Sequence, residues 1–264
     1  MANAANTSRL RRATCHYEYM MSTLQDKAEN NPSLKLLDVG CGSGSITIEL
    51  AKLIPNGPVT GLDISGAILG SAKVHAERQG VANISFVKGD VHELPFPDGS
   101  FDVVCTHQAV AHFHDHSKAI QELTRVTRKG GVVCLREGDL RTGKFSLGYE
   151  LLDECFQIII KVHEGQGGTS DAGRRLTQWV QDAGISMQRV TATQSVWIYD
   201  TPEGRRDYGG HWPARCTQGV FAERAVEMGV TIERLEQYAV AWKRWIEDEN
   251  ASFSMVHGEV IAVI

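Results

Sequence analysis

An acid and three glycines alternate in Leu36-Leu37-Asp38-Val39-Gly40-Cys41-Gly42-Ser43-Gly44-Ser45. Glycine lets bare backbone approach a ligand in conformations that other residues resist. A turn of this kind, between a strand and a helix, is how an open α/β sheet meets a nucleotide-like molecule. The spacing departs from the dinucleotide pattern G-x-G-x-x-G, because Gly44 follows Gly40 by four positions rather than five. Asp63 ends the run Val59-Thr60-Gly61-Leu62-Asp63, 19 residues after Gly44. A nucleotide fold places a carboxylate there to accept from the ribose hydroxyls, and Ile64 is taken with Asp63 as part of that contact. The rival role for Asp63 is a helix N-cap, for which Ser65 competes. Asp90, His107 and Glu137 close three further apolar runs. His112, His211 and Glu137 are the candidates for a general base, the histidines because imidazole titrates near neutral pH.

Alternating elements must carry these residues. Leu34, Leu36, Leu37 and Val39 read as a buried strand, and Ile46, Ile48, Leu50, Ala51 and Leu53 as the helix after it. Strands follow at 59–63, 83–90, 101–106 and 132–137, with helices at 65–79 and 117–128. Strands alternating with helices predict a doubly wound α/β sheet, whose ligands sit beyond the strands' carboxyl ends. Asp63, Asp90, His107 and Glu137 all fall on that edge, from four strands. Residues 1–9 read as frayed and 10–27 as a helix with Tyr17, Met20, Met21 and Leu24 at helical spacing. Past Asp139 the pattern gives a helix at 149–163, a mobile linker Glu164–Ser170, a helix begun by Asp171 and a strand at 186–199. Tyr208-Gly209-Gly210-His211-Trp212-Pro213 reads as an aperiodic loop, Leu235 to Ile246 as a helix with buried tryptophans, and 253–264 as the last strand.

The 264 residues carry a net charge of −5, which argues against a nucleic-acid partner; the clusters Arg9-Leu10-Arg11-Arg12 and Arg205-Arg206 are short. No apolar run approaches the ~18–20 residues that span a bilayer, and no signal-peptide pattern opens the sequence. Six cysteines show no C-x-x-C pair, which fits a reducing, cytoplasmic setting. Four histidines between His107 and His116 raise the question of a metal. They precede a helix and have no second ligand cluster, so the expectation is none.

The stretch from Asp38 to Gly44 resembles the D-x-G-x-G-x-G motif of S-adenosylmethionine-dependent methyltransferases with a Rossmann-like fold. Gly89-Asp90-Val91-His92-Glu93-Leu94-Pro95-Phe96-Pro97-Asp98-Gly99-Ser100-Phe101-Asp102-Val103-Val104 resembles the G-D-x-x-x-L-P-F-x-D-x-S-F-D-x-V segment of the branch related to the ubiquinone and menaquinone C-methylating enzymes. The run from His107 to Asp115 resembles its H-Q-x-x-x-H-x-x-D, and Lys129-Gly130 stand where lysine-proline is common. These matches cover residues 34–140; the tail resembles, less specifically, enzymes that methylate secondary metabolites. The resemblance implies a seven-stranded, mostly parallel sheet with helices on both faces and an antiparallel last strand. It implies one domain over 1–264, with 1–33 as a helical cover, 34–140 as the cofactor core, and 141–170 and 200–250 as lid and acceptor insertions.

For the site, the resemblance implies S-adenosylmethionine, with S-adenosylhomocysteine as product. Asp38 would meet its ammonium group, directly or through water, while Gly40, Gly42 and Gly44 pass its methionine moiety. Asp90 would read the exocyclic amino group of adenine and Val91 cover the ring. His107 would line the cofactor, with Tyr17, Arg11 and Tyr19 at its mouth. His112 would face the acceptor, and His114 and His116 solvent. The implied reaction is methyl transfer to O, N, S or C of a small molecule. The alternative is a pericyclic or elimination step at the same cofactor site. An NAD-dependent oxidoreductase is disfavoured by the glycine spacing. A homodimer stays open.

Overall fold

The computed structural model describes the backbone of residues 3–264 and side chains from Tyr17 onward, so the Arg11 side chain lies outside the described residues. A seven-stranded sheet runs in the order β3-β2-β1-β4-β5-β7-β6, with β1 (Leu36–Val39), β2 (Val59–Asp63), β3 (Ile84–Lys88), β4 (Phe101–His107), β5 (Thr127–Phe145), β6 (Val190–Tyr199) and β7 (Phe253–Val263). All four residues of β1 are buried. It pairs in parallel with β2 and β4, placing Leu36 opposite both Val59 and Val103. The outer pairs β2–β3 and β4–β5 are parallel too. β7 runs the other way: the Gly130 amide donates to the Ile264 carbonyl at 2.7 Å, and the Ile264 amide to Gly131 at 3.0 Å. The strand order reverses between β1 and β4, the switch point where such sheets bind ligands.

The chain forms two compact units. The first comprises Met1–Glu137, Arg175–Thr193 and Gly258–Ile264. Alternate strand residues serve its two faces, as a two-residue period requires. Leu36, Val103, Cys105 and Cys134 pack with α1 (Asn3–Asn30) and α2 (Ser45–Leu53), whereas Leu37, Val104, Val133 and Leu135 pack with α4 (His116–Val126) and Leu176 and Val180 of α6 (Ala172–Asp182). Ser65 caps α3 (Gly66–Arg78), accepting from the Ile68 amide.

The second unit comprises Gly138–Arg174 and Gln194–His257. These segments, which include the expected insertions 141–170 and 200–250, have an aromatic core of their own, built by α5 (Glu150–Gly165), α7 (Pro202–Gly209), α8 (Trp212–Thr217), α9 (Val220–Glu227), α10 (Ile232–Glu247) and the adjoining strand ends. The expected loop at 208–213 is the end of one helix and the start of the next, with Trp212 buried in that core. The expected mobile linker is anchored: Ser170 is buried, its carbonyl accepts from the Leu140 amide at 2.8 Å, and its hydroxyl donates to Glu164. Arg205 is no surface cation. It is buried and donates to the carbonyls of Asp200, Ile246 and Ala251. No described helix is long and apolar enough to cross a membrane.

Candidate functional site

Left-handed backbone builds the turn after β1. Gly40, Gly42 and Gly44 have φ of +74°, +53° and +72°, a region that L-residues with a Cβ resist. Gly40 also admits the segment after β4, since a Cβ there would lie 2.4 Å from that of Ala109. Asp63 braces the turn from β2: Oδ2 accepts from the Gly42 amide and Oδ1 from the Ser65 amide, both at 2.9 Å. Each carboxylate oxygen has a second lone pair, so the brace leaves acceptor capacity for a ligand hydroxyl. The neighbouring Ile64 is 66% exposed.

Asp38 lies deeper, 2% exposed. It accepts from Thr47 Oγ1 at 2.7 Å and from the Cys105 thiol at 3.8 Å. Burial raises its carboxyl from 3.8 to about 7. Burial and the Asp38 charge both push the Tyr17 phenol up. The Tyr17 hydroxyl is buried with no hydrogen-bond partner among the described residues, and such an atom costs about 1–3 kcal/mol until something pairs with it. Its ring meets His107 edge-on at 3.9 Å, and Tyr19 Oη is 3.4 Å from His107 Nε2. Ligating atoms of Asp38, Cys105 and His107 fall within 4.8 Å of one another. Burial holds Cys105 well above its ordinary pKa, as a thiol that donates to Asp38.

Beyond β3, the exposed carboxylate of Asp90 accepts from the His92 backbone amide at 2.9 Å and from His92 Nδ1 at 2.7 Å, and these bonds lower its pKa. Val91 beside it is buried. Gln108, after β4, is the one described non-glycine residue with positive φ, +54°. Strain of this kind costs roughly 1–3 kcal/mol and persists where surroundings over-determine it. Here the Gln108 amide donates to Arg136 O at 2.9 Å, the His112 amide to Ala109 O at 3.0 Å, and the Ala111 amide to Glu137 Oε2 at 3.0 Å. Glu137 is therefore a buried brace under the 3-10 turn Val110–His112, while His112 on that turn is exposed.

The first unit thus gathers Tyr17, Asp38, the three glycines, Asp63, Asp90, Val91, His107 and His112 on the carboxyl-end side of its parallel strands. His211 is not among them. It belongs to the second unit as the residue before α8, where desolvation and Arg215 hold its pKa below the ordinary value. His114 and His116 are not simply solvated: their rings pack on His92 at 3.6 Å and Trp179 at 3.7 Å. Sequence reasoning misses Thr47 as the partner of Asp38 and His92 as the partner of Asp90. The second has a signal, an acid with a hydrogen-bonding residue two positions on.

Comparison with known proteins gives the family. A family model described as a methyltransferase domain matches residues 30–184. An uncharacterized methyltransferase of Schizosaccharomyces pombe is 34% identical over 247 residues, 86% of this chain and 83% of that protein. A demethylmenaquinone methyltransferase of Staphylococcus carnosus is 39% identical over 155 residues, 58% of this chain and 61% of that one. The fold is shared with geranyl diphosphate methyltransferase in complex with S-adenosylmethionine, at a TM-score of 0.52 and 16% identity, covering 88% of this chain and 79% of that one. On the matched domain and the Schizosaccharomyces pombe relative, the chain belongs to the methyltransferase domain family, as a class I, S-adenosylmethionine-dependent methyltransferase.

Proposed function

We propose that the chain binds S-adenosylmethionine at the β1–β4 edge and methylates a small organic molecule, a secondary metabolite, in a reducing cytoplasmic setting. The observation that carries the reading is the turn itself: three left-handed glycines braced by Asp63, with a buried Asp38 and a Tyr17 hydroxyl that lacks a partner among the described residues. A ligand with an ammonium group, a carboxylate and a ribose fits that donor and acceptor set. Asp38 takes the ammonium, Tyr17 donates to the carboxylate, Asp63 accepts from the ribose hydroxyls with Ile64 over the sugar, and Asp90 accepts from the adenine amino group beside Val91. When bound, the cofactor supplies a methyl group already activated by its sulfonium. The protein's task is then chiefly orientation, which alone supplies about 7–11 kcal/mol. His107 lines the methyl-bearing end. His112 is the base for an acceptor that must lose a proton, and Glu137 holds the turn that presents it. We assign acceptor choice to the second unit, with His211 among its titratable groups.

Thermal unfolding with S-adenosylhomocysteine, and separately with NAD, tests the cofactor. At about a hundred times its dissociation constant a site-specific ligand stabilises by roughly 2.7 kcal/mol. The expected result is a rise in Tm with S-adenosylhomocysteine alone, largely lost in Asp63→Ala. A rise only with NAD overturns the reading. Product mass then separates methyl transfer, one methyl gained, from a pericyclic step that leaves the formula unchanged.

A further inference from the structure

His92 is 7% exposed, and both ring nitrogens are engaged. Nδ1 lies 2.7 Å from Asp90 Oδ1, and Nε2 lies 3.3 Å from the Asp115 backbone amide. An ionised carboxylate only accepts and an amide N–H only donates, so the ring carries its proton on Nδ1 and a lone pair on Nε2. That is one tautomer, neutral, with its orientation set from both sides. The His92 backbone amide adds a second bond to the same Oδ1 at 2.9 Å, which leaves Asp90 Oδ2 to meet a ligand. The ring packs on His114 at 3.6 Å and edge-on to Phe113 at 6.1 Å. Asp115 in turn caps α4, accepting from the Lys118 amide at 2.9 Å. His92 therefore ties the carboxyl end of β3 to the first turn of α4.

We propose that His92 is a positioning residue for base recognition: it fixes the Asp90 carboxylate so that Oδ2 faces the adenine amino group, and anchors that carboxylate to the segment following the His112 turn. The proposal rests on the reading that Asp90 reads adenine. An exposed aspartate without the clamp samples several rotamers, and ordering it on binding costs affinity specifically for the base it reads.

The test measures dissociation constants of S-adenosylhomocysteine and S-inosylhomocysteine, which replaces the adenine amino group by a carbonyl, for the wild type and two variants. The wild type should prefer the adenine form. His92→Leu should narrow that preference by about tenfold, the worth of one hydrogen bond to a charged group. His92→Asn, whose amide nitrogen can stand near Nδ1, should retain most of it. A ligand preference unchanged in His92→Leu overturns the proposal, since general loosening would weaken both ligands alike. If His92→Leu fails to fold, His92→Asn decides: a preference lost there overturns it as well. A wild type that binds neither ligand removes the cofactor reading and the proposal with it. A wild type that binds both equally removes only the Asp90 assignment and what rests on it.

Discussion

The first unit spends polar groups at a sheet edge, whereas the second buries aromatic rings in a helical core. In the first, Asp63, Asp90 and Glu137 each accept from a backbone amide of a neighbouring turn, so the shape of the site is written in backbone geometry. In the second, Trp212, Trp242, Trp245, Phe145 and Phe253 meet ring against ring, as with Trp212 stacked on Trp242 at 5.7 Å. Directional bonds hold a cofactor to one pose. Ring packing gives stability with less constraint on residue identity.

The largest expected effect breaks the second unit alone. Trp242 is fully buried, with Phe145 at 5.4 Å and Trp245 at 5.6 Å. Trp242→Ala should cost about 3–5 kcal/mol, read as an earlier urea transition. Affinity for S-adenosylhomocysteine, by calorimetry below that transition, should change less than about threefold. A cofactor affinity that falls with stability would show that the two units do not divide the work as described.

The same contrast decides which features are legible in the sequence. Glycines and strand-end acids are legible because few residue types can do their jobs, and a motif of fixed spacing singles them out. The element order follows from that, as does the sheet edge at which these residues gather. His211 and Trp212 read as a loop because Gly209, Gly210 and Pro213 are breakers by propensity; Pro213 instead sits in the first turn of α8, where its missing amide is harmless. The role of His92 stays hidden since its value lies in reaching Asp115, a contact across 23 residues that no local spacing encodes. The burial of Arg205 is not legible because carbonyl partners leave no trace in side-chain composition.

A second expected effect concerns Asp38 and pH. Its carboxyl rises from 3.8 to about 7 because burial penalises the charge. The folded chain therefore holds this proton to higher pH than the unfolded chain. Its contribution favours folding while it is protonated, and is lost as pH climbs from about 4 to about 7, at up to roughly 1.4 kcal/mol per pH unit. Urea midpoints across that window should fall in the wild type and flatten in Asp38→Asn, which keeps an acceptor for Thr47 without the charge. An identical slope in both would place the proton elsewhere. Affinity for S-adenosylhomocysteine should run the opposite way, rising toward pH 7 as Asp38 ionises to meet the ammonium group.

The smallest effect sharpens the comparison, because it removes the same kind of bond from each unit. Thr231 caps α10 by accepting from the Arg234 amide at 3.1 Å, and Ser65 caps α3 by accepting from the Ile68 amide at 3.4 Å. Loss of a cap hydroxyl costs about 1 kcal/mol, and less where the bond is long, so Thr231→Ala should lower stability more than Ser65→Ala. Cofactor affinity should rank the other way. The Ser65 amide is held by Asp63 Oδ1, and the same carboxylate holds Gly42; fraying the start of α3 therefore loosens the group that braces the glycine turn. Thr231 touches nothing in that chain of bonds. Urea midpoints and S-adenosylhomocysteine affinities for the two alanine variants should thus cross over. If both variants lose affinity in proportion to stability, the brace is ordinary scaffolding and Asp63 serves only the fold.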